Sequence, residues 1–199
     1  MRALTGQVAV VTGAGRGTGQ TIALALAQTG ARVAVIDVNP DITHSTAEAI
    51  SQAGGEAIAH PADVSSKMSI QTALYAVIEQ WERIDVLVNA ARIAPARAAL
   101  TLDEWEWNRV VDVNLKGVFL TSQTVARAMK AAGGGGHIFN IIRPIPDSTH
   151  AAVRAAREGL LGLTAALSVE WAAFNVLVVA VDSESAAETI VKRITGSTD

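Results

Sequence analysis

The sequence predicts an α/β fold, with a doubly wound parallel sheet of about six strands and helices on both faces. The first observation is that short, almost entirely apolar runs alternate along the chain with segments of helical periodicity. Strands of that kind are buried on both faces, which is typical of parallel sheets. The second observation is a glycine-rich turn between the first apolar run and the first helical segment. Right-handed crossovers between such units give a Rossmann-type arrangement.

The predicted strands are short and rich in valine and isoleucine, and they lie at residues 7–12, 31–38, 56–64, 84–91, 137–142 and 175–181. The predicted helices lie at residues 18–30, 41–55, 65–83, 101–132, 149–173 and 185–194. Ser65, Thr101 and Thr149 stand where N-terminal capping residues are favoured, and glycines follow several of the helices. We expect the long fourth helix to break near Trp107 and Asn108.

Length, composition and charge narrow the class of protein. With 199 residues, half of them hydrophobic, the sequence predicts one domain over residues 1–199. The net charge is −3 without long basic runs, so neither nucleic acid nor a membrane is an expected partner. There is no cysteine and the four histidines lack the spacing of metal ligands, so no metal site is predicted. The apolar run Val8–Val11 is too short for a signal peptide or a membrane span, which predicts a cytoplasmic protein.

The turn TGAGRGTG at residues 12–19 joins the first strand to the first helix. Glycines in this position let the backbone approach a pyrophosphate, and the helix N-terminus offers free N–H groups and a positive dipole end. The alternative is that the glycines only make a tight turn. The candidate cofactor-binding residues of this segment are Thr12, Gly13, Arg16, Gly17, Thr18 and Gly19.

Asp37 ends the second predicted strand, at the distance from the turn that suits an acidic ribose ligand. A carboxylate there accepts hydrogen bonds from the adenosine ribose and repels a 2′-phosphate, which favours NAD over NADP. Arg16 acts against this preference, because its guanidinium can pair with a phosphate. The alternative interpretation is that Asp37 only caps a loop.

The spacing of TGAGRGTG resembles the Thr-Gly-x-x-x-Gly-x-Gly pattern of the short-chain dehydrogenase/reductase family. The resemblance runs from about residue 5 to residue 181. It implies that Asp63 and Val64 contact adenine and that Asn89, Ala90 and Ala91 correspond to the family's Asn-Ala-Gly after the fourth strand. It also implies that Asn114, in DVNLKGVF, is the catalytic asparagine, and that GLTAALSVEWA (162–172) belongs to the active-site helix.

The resemblance fails at the residues that carry the family's chemistry. Counting back from residues 162–172, the tyrosine position falls on Val153 and the lysine position on Arg157, while the serine is replaced by Arg143 or Ile142. Valine has no proton to give and arginine stays charged, although Arg157 could still bind ribose hydroxyls. Only Asn114 of the catalytic tetrad is therefore retained.

Other differences from the family lie nearby. Asp182-Ser183 replaces the family's Pro-Gly, and we expect its substrate-covering segment and seventh strand to be missing or much reduced. Ala91 adds a methyl group that is tolerable only if its φ is negative. His150, beside Asp147 and Ser148, is a candidate proton shuttle, with the alternative that these are the polar residues usual in turns.

Two further expectations concern ligands and subunits. Arg143 and Arg154 could bind an anionic substrate, or could instead be solvated or paired with acidic neighbours. Small residues recur on the fifth helix at Ala152, Ala155, Ala156, Gly159, Gly162 and Ala166. The resemblance implies a homodimer or tetramer through the helices at about 108–131 and 150–173, with packing on the chain's own sheet as the alternative.

These observations leave two functional hypotheses. The chain is an NAD(H)-binding protein of oxidoreductase lineage, in which any alcohol–ketone reaction on a small-molecule substrate uses a nonstandard acid–base group. Alternatively, it is a non-enzymatic nucleotide-binding module or an inactive partner subunit that pairs with an active homologue. A third hypothesis is that the chain is a truncated or decayed enzyme that retains only its stable fold.

Overall fold

A computed structural model describes residues 3–144 and 151–196 of the chain. Within these ranges the strands form one parallel sheet in the order β3-β2-β1-β4-β5-β6, which confirms the predicted doubly wound sheet. The strands are β1 (Val8–Thr12), β2 (Arg32–Asp37), β3 (Glu56–Pro61), β4 (Val86–Asn89), β5 (Gly136–Ile142) and β6 (Val176–Asp182).

Helices cover both faces of this sheet. They are α1 (Gly17–Gln28), α2 (Pro40–Gln52), α3 (Lys67–Trp81), α4 (Glu104–Val111), α5 (Gly117–Ala132), α6 (Ala151–Glu170) and α7 (Ala186–Thr195). One core lies between the sheet and helices α1, α2 and α7, and includes Ile22, Leu26, Ile50 and Ile190. A second core lies between the opposite face and helices α3, α5 and α6. Because both faces are covered, β1 and β4 are buried at every position, as their continuous apolar runs predict.

Side-chain caps fix the start of three helices. Asn39 accepts hydrogen bonds from backbone N–H groups at the start of α2. At the start of α3 the cap is Ser66 rather than the expected Ser65, and its hydroxyl accepts a hydrogen bond from the N–H of Ser69. For α4 the predicted cap, Thr101, is wrong, because Asp103 accepts a 2.8 Å hydrogen bond from the backbone N–H of Glu106. A carboxylate in that position also interacts favourably with the positive end of the helix dipole. The predicted cap of α6, Thr149, lies outside the described residues.

The expected break near Trp107 and Asn108 is also wrong. The backbone N–H of Trp107 donates to the carbonyl of Asp103 at 3.0 Å, so the helix continues through this point. The irregularity comes later, in a π-helical turn at Asp112–Lys116 that joins α4 to α5. Such turns are rare and occur often at functional sites, and this one contains Asn114.

The sheet reverses its strand order between β1 and β4, which are neighbours although β2 and β3 lie between them in sequence. In open parallel sheets the crevice at the carboxyl ends of such strands is the usual ligand site. The glycine-rich turn follows β1 and residues 90–94 follow β4 at this edge. None of the helices within residues 3–144 and 151–196 is long and apolar enough to cross a membrane.

Candidate functional site

The turn between β1 and α1 is shaped by backbone packing that requires glycine. Gly13 has a φ of +65°, and a Cβ atom there would lie 2.6 Å from both Cα and N of Ala91. A Cβ atom on Gly19 would collide with the carbonyl oxygen of Gly13. Gly17 also has a positive φ, but a Cβ atom on it would meet nothing within 4 Å. Gly13 and Gly19 therefore allow close main-chain packing at the turn, while Gly17 borders open space.

Thr12 lies beneath this turn rather than in the crevice. Its side chain is 1% exposed, and its hydroxyl accepts hydrogen bonds from the N–H groups of Ala90 and Ala91 at 3.2 and 3.4 Å. The residue thus fixes the chain after β4 against the end of β1. Ala91 does not have a positive φ, so its methyl group meets the condition under which alanine is tolerated at this position.

Asp37 lies at the carboxyl end of β2, beside the turn. Its Oδ2 accepts a hydrogen bond from the N–H of Gly15 at 3.1 Å, and its Oδ1 accepts one from the N–H of Asn39 at 3.3 Å. These two bonds hold the carboxylate in place. The same carboxylate group borders a cavity of about 460 Å³, which is within the usual size range of small-molecule sites.

Asp63 borders the same cavity from the segment that follows β3. It accepts hydrogen bonds from the hydroxyl and N–H of Ser65 at 2.6 and 2.9 Å, and the guanidinium of Arg109 lies 3.7 Å from its carboxylate. Burial raises the pKa of Asp63, but the Ser65 hydrogen bonds and the charge of Arg109 together lower that pKa below its ordinary value. The carboxylate is therefore ionised over the whole neutral range.

Most of the predicted cofactor-binding residues meet at this larger cavity. Those that line it are Gly13, Arg16, Gly17, Asp37, Asp63, Val64, Ala90 and Ala91. Thr12, Thr18, Gly19 and Asn89 are not among its lining residues. Within the described parts of the chain, no three His, Asp or Glu side chains come together in a way that could hold a metal ion.

A smaller cavity of about 30 Å³ adjoins the larger one and shares Ala91, Arg92 and Arg143 with it. The described positions that the resemblance assigns to catalysis all line this smaller cavity: Asn114, Arg143, Val153 and Arg157. The predicted proton shuttle His150, with Asp147 and Ser148, lies outside the described residues. The structure thus brings together four positions from α6, β5 and the π-helical turn, far apart in sequence.

Three of these four side chains, those of Val153, Arg157 and Asn114, are already engaged or chemically inert. Val153 is 2% exposed and packs against Val110 on α4. Nε of Arg157 donates to the carbonyl of Arg143 at 3.2 Å, and its Nη1 lies 2.6 Å from the carboxylate of Glu158.

Asn114 uses its whole side-chain amide on one residue. Its Oδ1 accepts from the N–H of Ile93 at 2.9 Å, and its Nδ2 donates to the carbonyl of Ile93 at 2.8 Å. This pair ties the π-helical turn to the segment after β4. The amide therefore holds the chain beside Arg92 in position.

Sequence reasoning missed a buried polar network beneath the smaller cavity. Nδ2 of Asn89 donates to Oγ of Ser122 at 3.0 Å and to Oδ1 of Asn140 at 2.9 Å. Nδ2 of Asn140 donates in turn to the hydroxyl of Thr164 at 2.8 Å. Asn89 therefore links β4 to α5 and β5. A signal was present, since Asn140 is the one polar residue between His137 and Ile142 in an apolar strand.

Sequence reasoning also missed Arg92. Its side chain is partly buried, and it borders both cavities together with Arg143. Burial lowers the pKa of the Arg92 guanidinium, and the positive charge of Arg143 lowers that pKa further. Arg154, the other arginine predicted as an anion ligand, is exposed and lines neither cavity.

The small residues of α6 lie on two faces. Ala152 and Ala156 are buried against Val110 of α4, and a Cβ atom on Gly159 would lie 2.9 Å from Leu115. These residues pack within the chain, which supports the alternative interpretation for part of the series. The rest of the series is exposed: Ala155, Gly162 and Ala166.

The sheet order and the turn at the end of β1 define a protein of the doubly wound α/β class, with its crevice at the switch between β1 and β4. Comparison with known proteins narrows this class. Residues 7–194 match the family model described as short chain dehydrogenase. The chain therefore belongs to the short-chain dehydrogenase/reductase family, as the resemblance implied.

Relatives and solved structures agree with this assignment. The chain is 38% identical over 173 residues to a D-threitol dehydrogenase of Mycolicibacterium smegmatis, covering 84% of this chain and 65% of that protein. It is 37% identical over 185 residues to a 3-oxoacyl-[acyl-carrier-protein] reductase of Synechocystis sp., covering 91% and 74%. A metagenomic short-chain oxidoreductase in complex with NADP matches with a TM-score of 0.91 at 33% identity, covering 98% of this chain and 93% of that one. The chain spans about two thirds of the length of the first two curated relatives that it matches.

Proposed function

We propose that the chain binds NAD(H) in the larger cavity, and that the family's tyrosine–lysine proton transfer is lost or replaced in it. The observation that carries the first part is the position of Asp37. Its carboxylate is held by two backbone N–H groups and borders the same cavity as Gly13 and Gly17 of the glycine-rich turn.

The residues that line the cavity fit a dinucleotide. Backbone N–H groups near Gly13 and Gly17 and the start of α1 would hold the diphosphate, and no side chain fills the space beside Gly17. Asp37 would bind the adenosine ribose, and Asp63 with Val64 would border the adenine. When bound, the nicotinamide ring supplies a site that accepts or donates a hydride.

The preference for NAD over NADP follows from charge. An ionised Asp37 repels a 2′-phosphate, while the exposed guanidinium of Arg16 at the same cavity attracts one. Asp37 is held at two atoms and Arg16 makes no described ion pair that would fix it, so we expect the carboxylate to decide. A structural neighbour, a gluconate 5-dehydrogenase of Burkholderia cenocepacia, is a complex with NADP and tartrate, so both cofactors have to be measured.

The second part of the proposal concerns the proton. An alcohol–ketone reaction has to move a proton to or from the substrate oxygen as well as a hydride. The described residues that line the smaller cavity are asparagines, arginines and aliphatic residues, and none of these exchanges a proton near neutral pH. Any reaction on an alcohol or ketone would therefore use water or a group from outside this lining.

The same observation favours a second candidate function. A chain without a proton-exchanging group at this position can serve as a nucleotide-binding module or as the inactive partner of an active homologue. The exposed small residues of α6, Ala155, Gly162 and Ala166, offer a surface on which a second helix can approach closely. We expect a homodimer or tetramer through the helices at about 108–131 and 150–173. A monomer in light scattering at micromolar concentration would contradict this.

The first test is a calorimetric titration of the purified chain with NADH and, separately, with NADPH. We expect micromolar binding of NADH and weaker binding of NADPH. The variant Asp37→Asn keeps the shape and one acceptor oxygen but removes the charge and one of the two backbone hydrogen bonds, so its affinity for NADPH should approach that for NADH. Asp41→Asn is the matched control, since Asp41 is exposed on α2 and lines neither cavity.

The outcomes separate the parts of the proposal. Absence of binding to either nucleotide would overturn cofactor binding, and an unchanged NADH:NADPH ratio in Asp37→Asn would overturn the role of Asp37. If NADH binds but a panel of alcohols and ketones is not turned over, the non-enzymatic candidate gains support. Co-purification of an active homologue with the chain would strengthen it further.

A further inference from the structure

We propose that Arg92 and Arg143 form an anion-binding site at the junction of the two cavities, and that it takes a small molecule through a carboxylate or phosphate group. This inference deepens the proposed function by naming a class of ligand. It rests on that function only in placing the ligand beside bound NAD(H).

The fold places the two arginines at matching positions just beyond the carboxyl ends of neighbouring strands. Asn89 of β4 pairs with Asn140 of β5 in the parallel register. Arg92 and Arg143 each lie three residues beyond one member of this pair, at the carboxyl edge of the sheet. Both side chains border the larger and the smaller cavity. The topology thus directs two guanidiniums toward one space.

These two arginines differ from the others that the structure describes. Five arginines pair with a carboxylate within 4 Å: Arg32, Arg83, Arg97, Arg109 and Arg157. Among the described arginines without such an ion pair, Arg92 and Arg143 are partly buried and the others are exposed. Arg92 and Arg143 therefore lose hydration through burial without pairing with a described carboxylate.

Electrostatics makes this arrangement favourable for an anion. Arg92 and Arg143 carry like charges and border the same two cavities, and burial and the charge of Arg143 both lower the pKa of Arg92. An oxyanion between them would turn this repulsion into two attractions and would accept hydrogen bonds from both guanidiniums. No acidic side chain is among the described residues that line the smaller cavity. The chain as a whole carries a net charge of −3, so this positive charge is local.

The cofactor's diphosphate is a second source of the same chemistry. It would lie nearer to the glycine-rich turn, because Gly13, Arg16 and Gly17 border only the larger cavity. Arg92 and Arg143 border both cavities, which favours a separate small anion at the junction. The experiment has to distinguish these two sources.

The test uses isothermal titration of the whole chain with malonate, inorganic phosphate and ADP-ribose, each with and without saturating NADH. The variants are Arg92→Gln and Arg143→Gln, and the matched control is Arg154→Gln, on α6 but outside both cavities. Loss of one charge-assisted contact should weaken binding of malonate or phosphate about tenfold or more in each cavity variant. The control should stay within about twofold of the unmodified chain.

A thermal melt keeps the proposal testable if the variants bind nothing. Without added anion, Arg143→Gln should melt at the same temperature as the unmodified chain or higher, because it removes a repulsion. Malonate or phosphate should raise the midpoint of the unmodified chain and not that of the variant. A variant that melts lower and still responds to the anion would overturn the proposal.

The remaining outcomes are also decisive. If neither malonate nor phosphate binds the unmodified chain, the site does not exist. If only ADP-ribose and NADH lose affinity in the two variants, the arginines bind the cofactor's diphosphate and the proposal is overturned. If the small anions bind and NADH does not, the anion site stands and the proposed cofactor function fails. If NADH binds and the small anions do not, the proposed cofactor function stands and the anion site fails.

Discussion

The two ends of the crevice are built in different ways. At the end near the glycine-rich turn, the acidic side chains have partners: Asp37 has two backbone N–H groups, and Asp63 has Ser65 and Arg109. At the other end, Arg92 and Arg143 face the same space without a described carboxylate partner. The accessible volume falls from about 460 Å³ to about 30 Å³ between these ends.

The difference shows which parts of a binding site depend on the fold. The first end depends on close backbone contacts, since a side chain at Gly13 or Gly19 would collide with neighbouring main chain. The second end is lined by side chains that make their own individual contacts rather than by close main-chain packing. Val153, for example, is buried against Val110. The family's fold can therefore persist while its chemistry changes.

The largest effect is expected from a substitution that disrupts the glycine-rich turn, at the first end of the crevice. Gly19→Ala places a methyl group against the carbonyl oxygen of Gly13, so the start of α1 has to move away from the turn that follows β1. We expect a loss of about 3 kcal/mol in the free energy of unfolding and loss of detectable NADH binding. Gly162→Ala is the control, since a Cβ atom there meets nothing within 4 Å and alanine stabilises a helix interior by about 0.5–1 kcal/mol. Chemical denaturation and calorimetry check both, and equal stability of the two variants would refute the argument.

The second prediction concerns two substitutions that would give the smaller cavity, at the other end of the crevice, a group that exchanges a proton. Val153→Tyr with Arg157→Lys places a tyrosine and a lysine at the positions that the resemblance assigns to them, in the smaller cavity where Asn114 is already held by Ile93. We expect ketone reduction with NADH to rise about 10²–10⁴-fold, the usual contribution of a positioned acid–base group. Stability should fall by about 1–3 kcal/mol, because tyrosine is much larger than the buried valine.

The matched control for this prediction is Val153→Phe with Arg157→Lys. It adds the same bulk without the hydroxyl, so its activity should remain at the level of the unmodified chain. Steady-state assays on a panel of ketones measure the difference. Equal activity of the tyrosine and phenylalanine variants would show that the site has changed in more than its proton donor.

The third prediction concerns the buried polar network, which is expected to affect stability but not NADH binding at either end of the crevice. Asn140→Leu removes the hydrogen bonds to Asn89 and Thr164, and Asn140 lines neither cavity. The free energy of unfolding should fall by about 1–3 kcal/mol, the cost of leaving buried polar groups unpaired. The affinity for NADH should stay within about twofold of the unmodified chain, since no lining residue changes. Ser168→Ala, near the surface of α6, is the control for a minor loss. A large change in NADH affinity would mean that the network shapes the cavity.

The parts that sequence reasoning could predict are those with a local mechanism. The glycine-rich turn, the position of Asp37 and the doubly wound sheet follow from hydrophobic periodicity and from what a βα turn can do. The break of the long helix was expected near Trp107 and Asn108, before the π-helical turn, because that turn contains a contact between Asn114 and Ile93 that a linear pattern does not show. Arg92 was missed for a similar reason. Its importance depends on Arg143 across the sheet and on the lack of a described counter-charge, and a linear pattern does not show either.

The smallest expected effect is a loss of stability at acidic pH, and it originates at histidines that lie outside both ends of the crevice. Burial lowers the pKa of His60 on β3 and of His137 on β5, although Asp85 partly opposes the shift at His137. A histidine whose pKa is lower in the folded chain stabilises it fully above the unfolded value of 6.5, and this contribution is lost as the pH falls below that value. Asp63, with a lowered pKa, stays ionised through this range. Between pH 7.5 and 5.5, we therefore expect Tm to fall by roughly 2–4 °C for each kcal/mol lost.

The variant His137→Phe tests the assignment, because it keeps a ring that can stack on Phe139 and removes the titrating nitrogen. Its Tm should depend less on pH than that of the unmodified chain, while His44→Gln, at an exposed position of α2, should leave the dependence unchanged. NADH affinity should be the same in both variants, since neither histidine lines the two cavities. If Tm of His137→Phe kept its full pH dependence, the acid response would originate at a group other than His137. If the variant also altered NADH binding, the start of β5 would influence the crevice, and the two ends could not be described by their lining residues alone.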